Sequence, residues 1–450
     1  MAATILLCPL LCRAQMVGPT PQPSGVPAAP AQTEQATPEQ WAVHGQTTTT
    51  WLLQPAFRSP YQGPQSLNPS ANGRETFDAT LYLGYRPWQG AEIWINPEID
   101  QGFGLSNSLG VAGYLSGEAY KIGENAPYYR MARGFFRQTI DLGGGTEKLD
   151  PDLNQLGGTQ TANRVVLTIG KYSVVDIFDT NKYAHDPRND FLNWSIIDMG
   201  TFDYAADAWG FTYGAAAEWY QDWWTVRVGL FDLSTTPNDK YLDDRFIQQA
   251  QFIAELEERH TLWDQSGKLK FLYWLTRGEL GTYSDALALA AATGQTPSTG
   301  AVRRYRSKYG IGLNLEQQLT SDLGVFARAG WTEGGVEEDA FTDIDQTIAA
   351  GLSLSGTRWG RSDDTVALAL VANQISHAAK EYLAAGGIGG IVGDGQLPEA
   401  GPEQILETYY SVAVFSFAHV TADYQVINNP AYNRQRGPVS VFSLRLHAQF

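Results

Sequence analysis

Read in steps of two, several short stretches of this 450-residue chain gather charged, amide and aromatic side chains on one side. In "AEIWINPEID" that side holds Glu92, Trp94, Glu98 and Asp100. In "RMARGFFRQTI" it holds Arg133 and Arg137, in phase with Thr139, and Arg227 takes the same side of a later stretch. A further group, Asp176, Asp179 and Asn181, lies in "DIFDTN". Charged and amide groups exchange hydrogen bonds with hydroxyls, and aromatic rings offer apolar platforms. The combination suits reversible hydrogen bonding to a polar solute, or simply a polar wall.

Bond-making chemistry finds little support. The carboxylate pairs Glu257–Glu258 and Asp363–Asp364 do not identify a glycosidase without geometry. "SLSGT" at 353–357 is no nucleophile elbow, and the glycines at 143–145 lack the Lys-Ser pair of a phosphate loop. The six histidines are scattered without metal-ligand pairing. Asp176, Asp179 and Asp186 lack the spacing and turn glycine of a calcium loop. We therefore expect no enzyme, metal or cofactor.

The elements that must carry these residues are strands, because a period of two is strand geometry. "TFDATLYLGY" sets Phe77, Ala79, Leu81, Leu83 and Tyr85 against Thr76, Asp78, Thr80 and Tyr82. "SKYGIGLNLE", "DLGVFARAGW" and "HVTADYQV" alternate in the same way, with aromatics at segment ends. A soluble sandwich is the competing reading. Segments of about ten residues, flanked by aromatics, instead match tilted strands crossing a bilayer.

Sixteen such segments are predicted, at 42–54, 75–86, 91–100, 129–141, 163–172, 207–219, 222–231, 250–260, 266–277, 303–317, 322–332, 345–356, 364–375, 404–415, 417–426 and 438–450. Their connections alternate between short and long, apart from 142–162, which is long where a short one is due. Short periplasmic turns and long outside loops give that alternation. The expected fold is an all-β transmembrane antiparallel β-barrel of about 16 strands. The Gly-rich stretch 384–395 is expected to be a flexible outside loop.

Aromatic residues make up 12% of the chain, glycines number 46, and no apolar run reaches the length of a spanning helix. A net charge of −17 disfavours nucleic acid as a partner. Both cysteines, Cys8 and Cys12, lie in the apolar start, which reads as an export signal over 1–14. That start lacks a positive n-region, as a misplaced start codon would leave it. Residues 15–40, rich in Pro, Ala, Gln and Thr, are expected to be a disordered periplasmic segment, and 41–450 the barrel.

The stretches "DIFDTN" at 176–181, "DPRNDFLNW" at 186–194 and "FDYAAD" at 202–207 resemble the carbohydrate-selective porin family of OprB type. So do the opening stretch 41–67 and the closing stretch 424–450. The resemblance implies a sixteen-stranded outer-membrane barrel of a Gram-negative bacterium, passing small saccharides by passive diffusion. The ten residues named at the outset, Thr139 aside, would line its constriction. The long connection 172–204 is then expected to fold into the lumen, as the loop after this strand does in general porins. Phe178, Phe191 and Trp194 would pin it to the wall while its polar groups face the channel.

A terminal Phe450 on an alternating strand also resembles the sorting signal read by the barrel-assembly machinery. Outer-membrane lipid would be the other partner, and a homotrimer is left open as an assembly. Two alternatives remain at this point: an export conduit for a secreted polysaccharide, and a non-selective general porin.

Overall fold

The computed structural model describes residues 38–450 apart from 121, 244, 246, 247 and 341. The expected export signal, and the spacer as far as residue 37, lie outside the described residues. Sixteen strands follow in order. The first eight are β1 Trp41–Gln54, β2 Asn72–Tyr85, β3 Ala91–Gly102, β4 Tyr128–Leu149, β5 Gly158–Tyr172, β6 Thr212–Gln221, β7 Trp224–Asp232 and β8 Ala250–Leu262. The second eight are β9 Gln265–Leu280, β10 Arg304–Gln318, β11 Leu323–Thr332, β12 Gln346–Gly356, β13 Arg361–Gln374, β14 Glu403–Phe415, β15 Ala418–Asn428 and β16 Val439–Gln449. Each pairs antiparallel with its sequence neighbours, and β1 pairs with β16, so the sheet closes into a barrel without a free edge.

Alternation decides which side of the wall each residue meets. Ile93, Ile95 and Ile99 are 39%, 44% and 45% exposed, while Glu92, Asn96, Glu98 and Asp100 on the same strand are at most 8% exposed. A soluble protein would hide the isoleucines. Here the apolar side faces outward all round the barrel, as a hydrocarbon-facing wall requires. Exposed aromatics ring the end that carries the turns, among them Trp41, Trp88, Trp223, Trp263 and Phe417. Tyr129, Tyr213 and Tyr309 stand outward near the other end.

Tight turns join strands at the end where the described chain starts and stops. The β8–β9 turn is only Trp263 and Asp264, at φ +53° and +58°, the left-handed pair that matches the twist of a two-residue hairpin. At closure, Gly45 and Phe450 exchange both backbone hydrogen bonds at 2.9 Å. A Cβ at Gly45 would sit 2.6 Å from the Phe450 ring, so glycine leaves that ring its place.

Three strands differ from their expected bounds for identifiable reasons. The 142–162 connection is mostly strand: β4 and β5 run on past the wall and leave only 150–157 between them. Gly143 and Gly144 break the alternation there without ending the pairing. β6 begins at Thr212 rather than 207, because Asp207 Oδ1 accepts the N–H groups of Trp209 and Phe211 at 3.0 and 3.1 Å and forms a turn.

Among the described residues three α-helices occur, all in loops at the other end: α1 Trp194–Ile197, α2 Tyr283–Thr293 and α3 His377–Ala384. The stretch 384–395 is packed rather than free. The N–H groups of Gly390, Ile391 and Val392 converge on the Asp343 carboxylate at 2.8 to 3.2 Å, and Ile391 and Val392 are fully buried. Its glycines serve close approach, since a Cβ at Gly389 would lie 2.1 Å from Asp343.

Candidate pore constriction

The connection between β5 and β6 enters the lumen and is held at several points. Phe178 packs edge-on against Phe231 of β7, with ring centroids 5.9 Å apart. Phe191 sits against Phe326 of β11 and Tyr409 of β14 at 5.7 and 5.1 Å. Trp194 packs on two other loop residues, Tyr114 and Tyr204, at ring-centroid distances of 5.8 and 6.3 Å.

Polar pins add direction to this packing. Arg328 of β11 faces Asp179 at 3.2 Å with both side chains fully buried, and it also donates to the carbonyls of Asp179, Ala184 and Ile196. Asn181 donates to Asn314 at 2.7 Å. The N–H groups of Leu192 and Asn193 both donate to Glu407. The loop between β3 and β4 also turns inward, with Ala112 and Gly113 donating to Glu403 of β14 at 2.9 and 2.8 Å.

What remains open in the lumen includes two cavities. One, of about 430 Å³, lies toward the turn end and is bordered by Phe135, Arg137, Arg164, Glu218, Tyr220 and Arg227. The other, of about 280 Å³, is bordered largely by the inward loops, with Glu118, Arg188, Trp209 and Phe211, and by Tyr82 and Arg133 of the wall. Leu153, Asn154, Asp176 and His185 border both. At this junction Arg133 grips Asp176 through Nε and Nη2, each 2.7 Å from a carboxylate oxygen. The Arg133 guanidinium also lies over the Phe211 ring at 4.9 Å.

A second basic group stands opposite. Arg188, from the loop, reaches Asp78 of β2 at 3.3 Å and Glu118 of the other inward loop at 3.5 Å. Burial pushes the Asp186 carboxyl up, but Arg188 and the hydrogen bonds from Arg188 and Asn189 outweigh it and hold Asp186 below its ordinary range. Burial, with Arg328 nearby, pulls His185 down, so its ring is neutral at pH 7. Burial raises Asp190 to about 6 against the hydrogen bonds it receives.

The sequence-predicted residues divide into two sets. Glu92, Arg137, Arg227 and Asp176 border the larger cavity, and Arg133 and Asp176 the smaller. Trp94, Glu98, Asp100, Asp179 and Asn181 border neither. Trp94 is fully buried against Gly84 and His44 and donates to Glu92 at 2.9 Å. Glu98 and Asp100 are tied up by Arg130. Asp179 and Asn181 are loop anchors, a correction to their expected place on the channel surface. Their short polar side chains satisfy wall groups that would otherwise be buried unpaired.

Arg130, Arg188, Asp78 and Glu118 were not singled out. Arg130 falls on the outward phase of a strict alternation. A bulge at Ala132, opposite the step from Asn96 to Pro97, reverses that phase. Pro97 is the signal that marks it, since proline inside a strand demands such an irregularity.

The chain's sequence, over residues 64–450, matches the profile of the carbohydrate-selective porin, OprB family. The chain belongs to the OprB family of carbohydrate-selective porins. Its fold is similar to the high-pH structure of Pseudomonas putida OprB, with a TM-score of 0.69, 15% identity and coverage of 91% of this chain and 94% of that one. The low-pH structure of the same protein gives 0.49, at 11% identity and 91% and 93% coverage. Acinetobacter baumannii OccAB1 gives 0.48, at 12% identity and 93% and 99% coverage. A comparison with curated proteins gave no match. This OprB-family porin is an outer-membrane protein of the Gram-negative type that passes sugars by diffusion. Its family and fold are those of channels.

Proposed function

We propose that saccharide preference is set at the Arg133–Asp176 pair, where the two cavities meet. The observation that carries this reading is the mixture at that level. Arg133, Asp176 and Arg188 offer charged donors and acceptors, while Phe211, Tyr82 and Trp209 offer ring faces. A neutral sugar satisfies such a site through hydroxyls and C–H faces together. A small ion or amino acid exploits only one of the two.

The lumen carries both signs in alternation. Arg130 lies with Glu98 and Asp100, and Arg227 with Glu218, Glu255 and Glu257. That balance disfavours export of an anionic polymer, which calls for a cationic lining. The exposed apolar wall takes outer-membrane lipid, the turn end faces the periplasm, and Phe450 beside Gly45 is the mark read by the barrel-assembly machinery.

The testing experiment is channel block. Arg133→Ala should weaken block by a neutral monosaccharide while leaving the barrel folded. Unchanged block in Arg133→Ala and in Asp176→Asn would remove the assignment.

A further inference from the structure

The ribbon formed by β4 and β5 does not stop at the rim. Pairing between the two strands is interrupted around Gly143 and resumes from Thr146 opposite Thr161 to Leu149 opposite Gly158. Gly143 and Gly144 sit at φ +99° and +87°, a bend that other residues resist. Beyond the bend, the turn 150–157 comes back inside the barrel. Asn154 Oδ1 accepts a hydrogen bond from Asn96 of β3 at 2.9 Å, and its carbonyl accepts one from Arg137 at 2.8 Å. Asn96 is the register partner of Arg133. The tip therefore reaches the level of the Arg133–Asp176 pair from the turn end.

The tip touches the lumen at other points too. Asp152 accepts from Gln449 of β16 at 3.3 Å, and Arg86 of the β2–β3 turn donates to the carbonyls of Leu156 and Gly157 at 3.4 and 3.3 Å. Leu156 is fully buried, and Leu153 and Asn154 border both cavities. The larger cavity is thus bordered by the barrel wall, the inward loop and this ribbon. Its volume of about 430 Å³ lies within the range of small-molecule sites.

We propose that the β4–β5 ribbon is a second jaw of the pore, opposing the inward loop, and that the cavity behind it is a distinct subsite holding one saccharide ring in transit. Phe135, Tyr172 and Tyr220 supply ring faces there, and Arg137, Arg164 and Glu218 supply hydroxyl partners. The subsite rests on the saccharide reading above, whereas the jaw does not. The tip is attached by a handful of hydrogen bonds and no ladder to the wall, so it can yield to a passing solute.

The test replaces 150–157 by Asn-Gly, a two-residue turn suited to closing the Leu149–Gly158 pair. Heat-modifiable gel mobility establishes that the barrel has formed. Single-channel recordings in potassium chloride should then show roughly a doubling of conductance, as expected when a constriction is removed, together with shorter blocks by a neutral monosaccharide. Leu153→Trp, which thickens the tip, should lower conductance. Folded barrels of unaltered conductance in both variants would overturn the jaw. A raised conductance with unaltered block lifetimes would overturn the subsite. If the unmodified channel is never blocked by sugars while the deletion still raises conductance, the jaw stands and the saccharide reading fails separately.

Discussion

Arg133 of the wall and Asp176 of the inward loop form a two-point ion pair, 2.7 Å at each contact, with side chains still 15% and 31% exposed. The pair is firm in geometry yet wet. Asp176 borders both lumen cavities and Arg133 the smaller. Partial exposure limits what it adds to stability, about 1 kcal/mol or less. Arg133→Ala should therefore fold normally and still lose charged hydrogen bonds to a bound sugar. Each is worth about 1.5–3 kcal/mol, so the sugar-block constant should weaken by about tenfold or more. Noise analysis of channel block checks this.

The Asp179–Arg328 pair makes the opposite case. Both side chains are fully buried, so truncating one strands the other. Arg328→Ala should cost about 3–5 kcal/mol and release the inward loop. Larger conductance and a lower melting temperature in detergent are the expected readouts. A double substitution, Arg328→Leu with Asp179→Leu, should restore part of the stability.

Phe191 is the corresponding apolar anchor, fully buried between Phe326 and Tyr409. Phe191→Ala should cost about 3–5 kcal/mol through lost transfer energy and the cavity left behind. Thermal unfolding followed by circular dichroism measures it. Phe191→Leu should cost visibly less.

The sixteen strands were legible because each side of the wall meets a different medium, and that difference imprints a period of two. The inward placement of Glu92, Arg137 and Arg227 follows from the same phase. Three features escaped it. Arg130 was lost at the Ala132 bulge. The continuation of β4 was hidden by the glycines at 143–145, which read as a linker although they serve as a bend. Asp179 and Asn181 looked like channel-facing groups because a loop has no phase. Which of its polar residues anchor and which line depends on partners such as Arg328 and Asn314, more than 130 residues away.

Asp190 yields a pH dependence of known sign. Its carboxylate accepts the N–H groups of His185 and Asp186 at 2.9 and 3.1 Å. Burial nevertheless raises it from an ordinary value of 3.8 to about 6. Between those values the folded loop holds a proton that the released loop does not. The Asp190 contribution to loop stability should thus be fully present below about pH 4 and be lost as pH rises through about 6. His185, which burial lowers, contributes with the opposite sign in this range, so the Asp190 share is read as the difference between the parent and Asp190→Asn. Hydrogen exchange in 185–190, corrected for the intrinsic rate, should show the parent opening more easily relative to Asp190→Asn at pH 7 than at pH 4.5.

The central claim is that this lumen holds sugars rather than merely admitting them. Single-channel recording in planar bilayers, with a neutral hexose titrated on one side and a neutral amino acid in a parallel series, measures it most directly. Concentration-dependent interruptions of current by the hexose, and none by the amino acid, are expected. Currents that both solutes leave uninterrupted, reduced only in step with solution viscosity, would contradict it.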